Sequence, residues 1–132
     1  MENFVLRELV SLQKSCSFCS FVKNELRRNN CRKDEIPFEL SNSGILFYNL
    51  DKTSSGRRLV ITSLGIHIYC TYRHFDGNHL ALVDTVNEMK SLFFHENIKK
   101  IVLSSIKNCR GCYVINKSFI RNEKTRNKYP GG

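Results

Sequence analysis

His74 and His79 stand five positions apart, and Cys109 and Cys112 three apart, with 29 residues between the two pairs. Two imidazoles and two thiolates make the closed tetrahedral donor set that a structural zinc ion takes. All four positions around the ion are then filled by protein, and none is left for a substrate or a water. Such an ion holds a fold together and does no chemistry, so the pattern points to a binding module rather than an enzyme.

The pairs need elements that aim them at one point. Residues 80–93 place Leu82, Val86, Met89 and Phe93 on one stripe, and residues 97–108 place Ile98, Ile101, Val102 and Ile106 on another. Both stripes have helical spacing. Chain running out along one helix and back along the other brings Cys109 to His79. A helix over 64–73, weakened at its start by Gly65, leads into a break at 74–78 that contains Gly77. A short helix after Cys109 carries Tyr113 and Ile115. Three short helices have little core of their own, so metal binding supplies much of the folding energy, roughly 10–16 kcal/mol apparent for structural zinc in small modules.

Upstream the chain has a different character. Val5, Leu6, Leu9 and Leu12 mark a helix over 4–14, and Phe18, Val22 and Leu26 mark a second over about 17–29. Three short runs follow: Phe38-Glu39-Leu40, then 44–49, then 57–61, separated by turn-rich clusters. They predict a small antiparallel sheet of two or three strands, which needs helices packed against it. The fold class is therefore α+β, mostly α: N-terminal helices with a small antiparallel sheet, then a zinc-stabilised three-helix bundle. The divisions expected are an extension over 1–61, the zinc-binding helical domain over 62–120, and a basic tail over 121–132.

Net charge is +9, with 21 basic and 12 acidic residues. It is uneven: residues 1–56 carry +1, residues 57–109 carry +3, and residues 110–132 carry +5. A basic segment beside the metal motif favours a polyanion through phosphate neutralisation and counterion release. Arg110, Lys117, Arg121, Lys124 and Arg126 are the candidate phosphate contacts. No apolar run approaches the ~18 residues of a membrane span, and the first residues do not form a secretory signal. An intracellular setting is expected, where the six cysteines serve as thiols or metal ligands. Cys16 and Cys19 repeat the Cys-x2-Cys spacing, and with Cys31 they make a weaker second metal candidate. The two Cys-x2-Cys pairs joined into one four-cysteine site are weaker still. Cys70 reads as core, and His67 and His95 as surface or capping residues. No carboxylate pair with supporting context and no activated nucleophile stands out.

The block from His74-Phe75-Asp76-Gly77-Asn78-His79 through Thr85 and Phe93-Phe94-His95-Glu96-Asn97-Ile98 to Cys109-Arg110-Gly111-Cys112 and Lys117 resembles the zinc-binding N-terminal domain of retroviral and LTR-retrotransposon integrases, gypsy-like elements above all. The runs Gly44-Ile45-Leu46-Phe47-Tyr48 and Arg57–Ile61 resemble the strands that precede it there. Members usually carry proline where Glu96 stands, glycine where Ala81 stands, and an uninterrupted helix across Gly65. The resemblance implies zinc on His74, His79, Cys109 and Cys112, contact with DNA rather than RNA, multimerisation or a protein partner, and a nuclear location. Integrase catalysis lies in a following domain with three metal-binding carboxylates. Glu123 is the one carboxylate side chain in the 20 residues after Cys112, so no catalytic residue is expected here. The alternative is a domesticated, integrase-derived adaptor that recruits or dimerises proteins without touching DNA, using aromatics among Phe4, Phe18, Phe21, Phe47 and Tyr48.

Overall fold

A computed structural model describes residues 3–28, 36–51, 53, 56–75, 79–107 and 109–118. Helix α1 (Asn3–Leu12) turns through a 3-10 segment (Gln13–Ser15) into α2 (Ser17–Arg27). Strands β1 (Phe38–Leu40), β2 (Leu46–Tyr48) and β3 (Arg58–Val60) follow. Then come α3 (Ser63–Phe75), α4 (Leu82–Leu92), the two-residue strand β4 (Phe93–Phe94) and α5 (Ile98–Ile106). A last helix, α6, covers residues 110–118. The protein is α+β and mostly helical, in line with the sequence reading.

The sheet departs from expectation in one respect. Its strand order is β1-β2-β3-β4, with the first two pairings antiparallel. The fourth strand comes from the aromatic boundary between α4 and α5 and pairs parallel to β3. The Phe93-Phe94 run is too short to register as a strand by periodicity, and only tertiary pairing reveals it. The N-H of Ile61 extends this ladder, donating to the carbonyl of Phe94 at 3.0 Å.

Alternation along the strands divides two cores. Leu46, Val60, Phe38, Tyr48 and Phe94 face α2, where Cys19, Val22 and Leu26 are buried at helical spacing. Tyr48 and Phe94 stack at 3.9 Å between centroids, and Phe38 meets both edge-on. Leu59, Phe93 and Phe47 face the opposite way, onto α1, α3, α4 and α5. There Val5, Leu9, Ile66, Tyr69, Met89, Val102 and Ile106 form the main core. Residues from both sides of position 61 therefore share a sheet and a core.

Two polar devices lock this arrangement. Gln13 is fully buried, and its amide reaches both middle strands. Nε2 donates to the carbonyls of Leu46 and Val60 at 3.0 and 2.8 Å, while Oε1 accepts from the N-H of Leu46 at 2.9 Å. The side chain stands in for a ladder partner where β2 and β3 part. Gly44 at φ 82° makes the β1-β2 turn in the left-handed region that suits glycine.

Gly65 does not weaken α3. It lies in the first turn, where Thr62 Oγ1 caps by accepting from its N-H at 3.0 Å. A Cβ there would lie 2.8 Å from Ile61 Cγ1 and 3.3 Å from Leu9 Cδ2. Glycine is what lets α1 approach α3. The helix also runs further than its stripe suggested, to Phe75, so His74 sits in its last turn rather than in the break.

Replacing Gln13 by methionine keeps the volume but leaves three buried backbone groups without partners. The expected loss is about 2–4 kcal/mol of unfolding free energy, read as a lower urea midpoint at unchanged slope. A loss under about 1 kcal/mol would mean that water takes over those groups.

Candidate metal centre

Three segments supply the four ligands. The last turn of α3 carries His74. His79 opens an extended segment that ends at Ala81, the N-cap of α4, at φ −80° and ψ 126°. Cys109 and Cys112 stand at the start of α6. The α4-α5 pair goes out and back, as the spacing predicts, and delivers Cys109 to the histidines.

The ligand atoms of His74, His79, Cys109 and Cys112 all lie within 4.8 Å of one another and can hold a metal ion. His74 Nε2 is 3.1 Å from Cys109 Sγ. His79 Nδ1 is 3.6 Å from Cys109 Sγ and 3.7 Å from Cys112 Sγ. A tetrahedral ion with ordinary metal-nitrogen and metal-sulfur bonds separates N from S by about 3.6 Å. The two His79 distances match that separation and the His74-Cys109 distance is shorter, with His74 offering Nε2 and His79 offering Nδ1.

Electrostatics within the pair is asymmetric. The N-H groups of Cys112 and Gly111, at the start of α6, hold the Cys109 thiol below its ordinary value. Burial pushes the Cys112 thiol up, partly offset by the N-H of Leu80, which donates to its sulfur at 3.2 Å. A bound cation would favour the thiolate form of both.

Two further residues hold the ligands in place. Asn116, 2% exposed, clamps α6 onto the segment after His79. Its Oδ1 accepts from the N-H of Leu82 at 2.7 Å, and its Nδ2 donates to the carbonyls of Leu80 and Cys112 at 2.6 and 2.9 Å. Gly111 lies flat against the His79 ring, and a Cβ there would overlap the ring atoms. Sequence reasoning singled out neither residue. Asn116 had a usable signal: it lies four positions after Cys112, on the same inward helix face.

A cavity of about 420 Å³ opens beside the cluster, lined by His67, Thr71, Ser104 and Ser105 as well as by His74, Cys109 and Cys112. His67 is half-buried, and its Nδ1 bonds Ser105 Oγ, tying α3 to α5. The expectation of a surface position is corrected by that tie. His95 does act at a helix entry: its Nδ1 accepts from the N-H of Asn97 at 2.9 Å, just before α5. Cys70 is buried in the main core.

Among the described residues the His-Cys quartet is the single metal-ligand group. Cys16 and Cys19 sit with the other core, against α2 and the sheet, so they join neither Cys109 nor Cys112. Cys31, the third member of that weaker set, lies outside the described residues. Of the candidate phosphate contacts, Arg110 and Lys117 are exposed on α6. Arg121, Lys124 and Arg126 lie outside the described residues. Set against protein-family models, curated proteins and solved structures, the chain matches none.

Asn116→Ala should weaken metal binding about 10- to 100-fold, as loss of an outer-shell partner does. Gly111→Ala should weaken it further, because the added methyl displaces a ligand ring. Competition with a chromogenic chelator reads both. Wild-type affinity in the glycine variant would show that the His79 ring does not lie where α6 crowds it.

Proposed function

We propose that this chain is a non-catalytic zinc module that binds nucleic acid and takes part in multimer assembly, of the type found in the N-terminal region of gypsy-like retrotransposon integrases. The observation that carries the proposal is the convergence of His74, His79, Cys109 and Cys112 across an out-and-back helix pair. Two sulfurs and two nitrogens gathered within 4.8 Å suit zinc better than the hard cations, which prefer oxygen. Bound there, the ion supplies cross-linking free energy between α3, the entry to α4, and α6. The helical half then works as a zinc-stabilised three-helix bundle.

The basic excess supports a polyanionic partner. Arg110 and Lys117 stand exposed next to the metal ligands, and Lys99, Lys100 and Lys107 are exposed on or just beyond α5. Duplex DNA in the nucleus is the preferred partner on the strength of the integrase resemblance. A second reading, a protein-recruiting adaptor, has its own observation: Phe21, Val114 and Ile115 are each more than half exposed. Of the other aromatics considered for that role, Phe47 is capped by the Arg57 guanidinium and Tyr48 is stacked on Phe94. Phe18 is partly exposed beside Phe38, and the side chain of Phe4 lies outside the described residues.

Elemental analysis of the purified chain should find one zinc per molecule, lost in Cys109→Ser. Undiminished zinc in that variant would sink the assignment. Titration with duplex DNA should show affinity falling as salt rises, and Arg110→Ala or Lys117→Ala should each reduce the log-log salt slope by about 1. A chain that ignores DNA at low salt yet self-associates in light scattering would favour the adaptor instead.

A further inference from the structure

The Cys16-x2-Cys19 pair is left over once the metal centre is assigned, and its setting is specific. Cys16 is the N-cap of α2, with extended backbone at φ −89° and ψ 121°, and its sulfur accepts from the N-H of Cys19 at 3.5 Å. The two thiols are also in side-chain contact with each other. Cys16 is half-buried, whereas Cys19 is fully buried beneath it. A cavity of about 270 Å³ opens over the pair, lined by Cys16, Phe18, Cys19, Val60, Phe94 and His95. Its volume is near the low end of the ~300–1,000 Å³ typical of small-molecule sites.

Burial alone would explain Cys19, since cysteine is a good small hydrophobe. It does not explain Cys16. That residue points a partly accessible sulfur from a helix N-terminus into a cavity. We propose that Cys16 and Cys19 form a thiol-disulfide exchange site for low-molecular-weight disulfides such as oxidised glutathione.

The division of labour follows from position. Cys16 loses its proton to solvent and attacks one sulfur of the incoming disulfide, forming a mixed disulfide and releasing one small thiolate that takes up a proton from solvent. Cys19 gives its proton to a departing thiolate and attacks the Cys16 sulfur. The second small thiol leaves as the Cys16-Cys19 bond closes. Two protein thiols lose two electrons, one small disulfide gains them, and both protons end on the small thiols. Cys19 cannot be the attacker: it is shut off from solvent, and burial pushes its thiol up to about 12. It acts only after Cys16 has brought the disulfide inside.

The test uses the full chain treated with oxidised glutathione, alkylated, and digested with trypsin. Cleavage after Lys14 and Lys23 leaves both cysteines in one peptide, residues 15–23, while Cys109 and Cys112 fall into two others. The expected product is peptide 15–23 lighter by two hydrogens and alkylated only after reduction. A peptide that is doubly alkylated despite the oxidant would overturn the site. Cys19→Ala should stop at one glutathione on Cys16. Cys16→Ser, changed at a half-buried position that disturbs the core less, should slow modification of Cys19 about tenfold or more. Equal modification of Cys19 in that variant would remove Cys16 as the attacker.

Discussion

Everything in the helical half depends on closing α6 against the segment that follows His79. The two ligand pairs lie 29 residues apart in sequence, and the α4-α5 pair only brings their backbones to the same end of the molecule. Convergence to a few ångströms requires the last approach, and three contacts make it. Asn116 replaces water at the first free amide of α4 and at two carbonyls. The N-H of Leu80 meets the Cys112 sulfur. Gly111 removes the one side chain that would hold α6 off the His79 ring. Each of these is a backbone or near-backbone interaction, so the approach is made by the chain's own hydrogen bonds and packing.

The sheet transmits this order to the rest of the chain. Phe93 and Phe94 are adjacent and so face opposite sides. Phe93 packs with Tyr69 over the main core, while Phe94 stacks on Tyr48 in the smaller one. A single two-residue strand thus joins the helical half to α2 and the first three strands. Gln13 does the reciprocal job from the other end, anchoring the α1-α2 junction to β2 and β3 through a buried amide. Loosening either one would expose apolar surface on both faces of the sheet, which is why two short cores can behave as one cooperative structure.

Features with a local cause could be read from the sequence. Amphipathic stripes announced α1, α2, α4 and α5 to within a few residues, and the donor types and spacing of His74, His79, Cys109 and Cys112 announced the quartet. What could not be read depends on a neighbour distant in the chain. Gly65 looked like a flaw in a helix because spacing does not show what packs over it: Ile61 one turn back, and Leu9 more than fifty positions away. The strand at Phe93 exists only because β3 lies alongside it. Gln13 looks like any polar residue at a helix end until the strands it serves are in place. Propensity sees the residue, whereas a close approach or a shared hydrogen bond belongs to a pair.

The two Cys-x2-Cys pairs make the same point about chemistry. Both stand at helix N-termini, and in both the first sulfur meets backbone N-H groups of the turn it opens. Their local stereochemistry is therefore alike, and so is their sequence signature. What differs is what faces the sulfurs. Cys109 and Cys112 face two imidazole nitrogens, which complete a four-donor set. Cys16 and Cys19 open on a cleft lined by Phe18, Val60 and Phe94 and bordered by His95 and Glu96, and no metal-ligand group forms there among the described residues. A dithiol gathered with two imidazoles is matched to a cation, while a dithiol under a cleft, with its histidine and carboxylate outside any metal-ligand group, is matched to another sulfur. The spacing supplies two thiols one helical turn apart, and the side chains packed across from them decide which chemistry those thiols can enter.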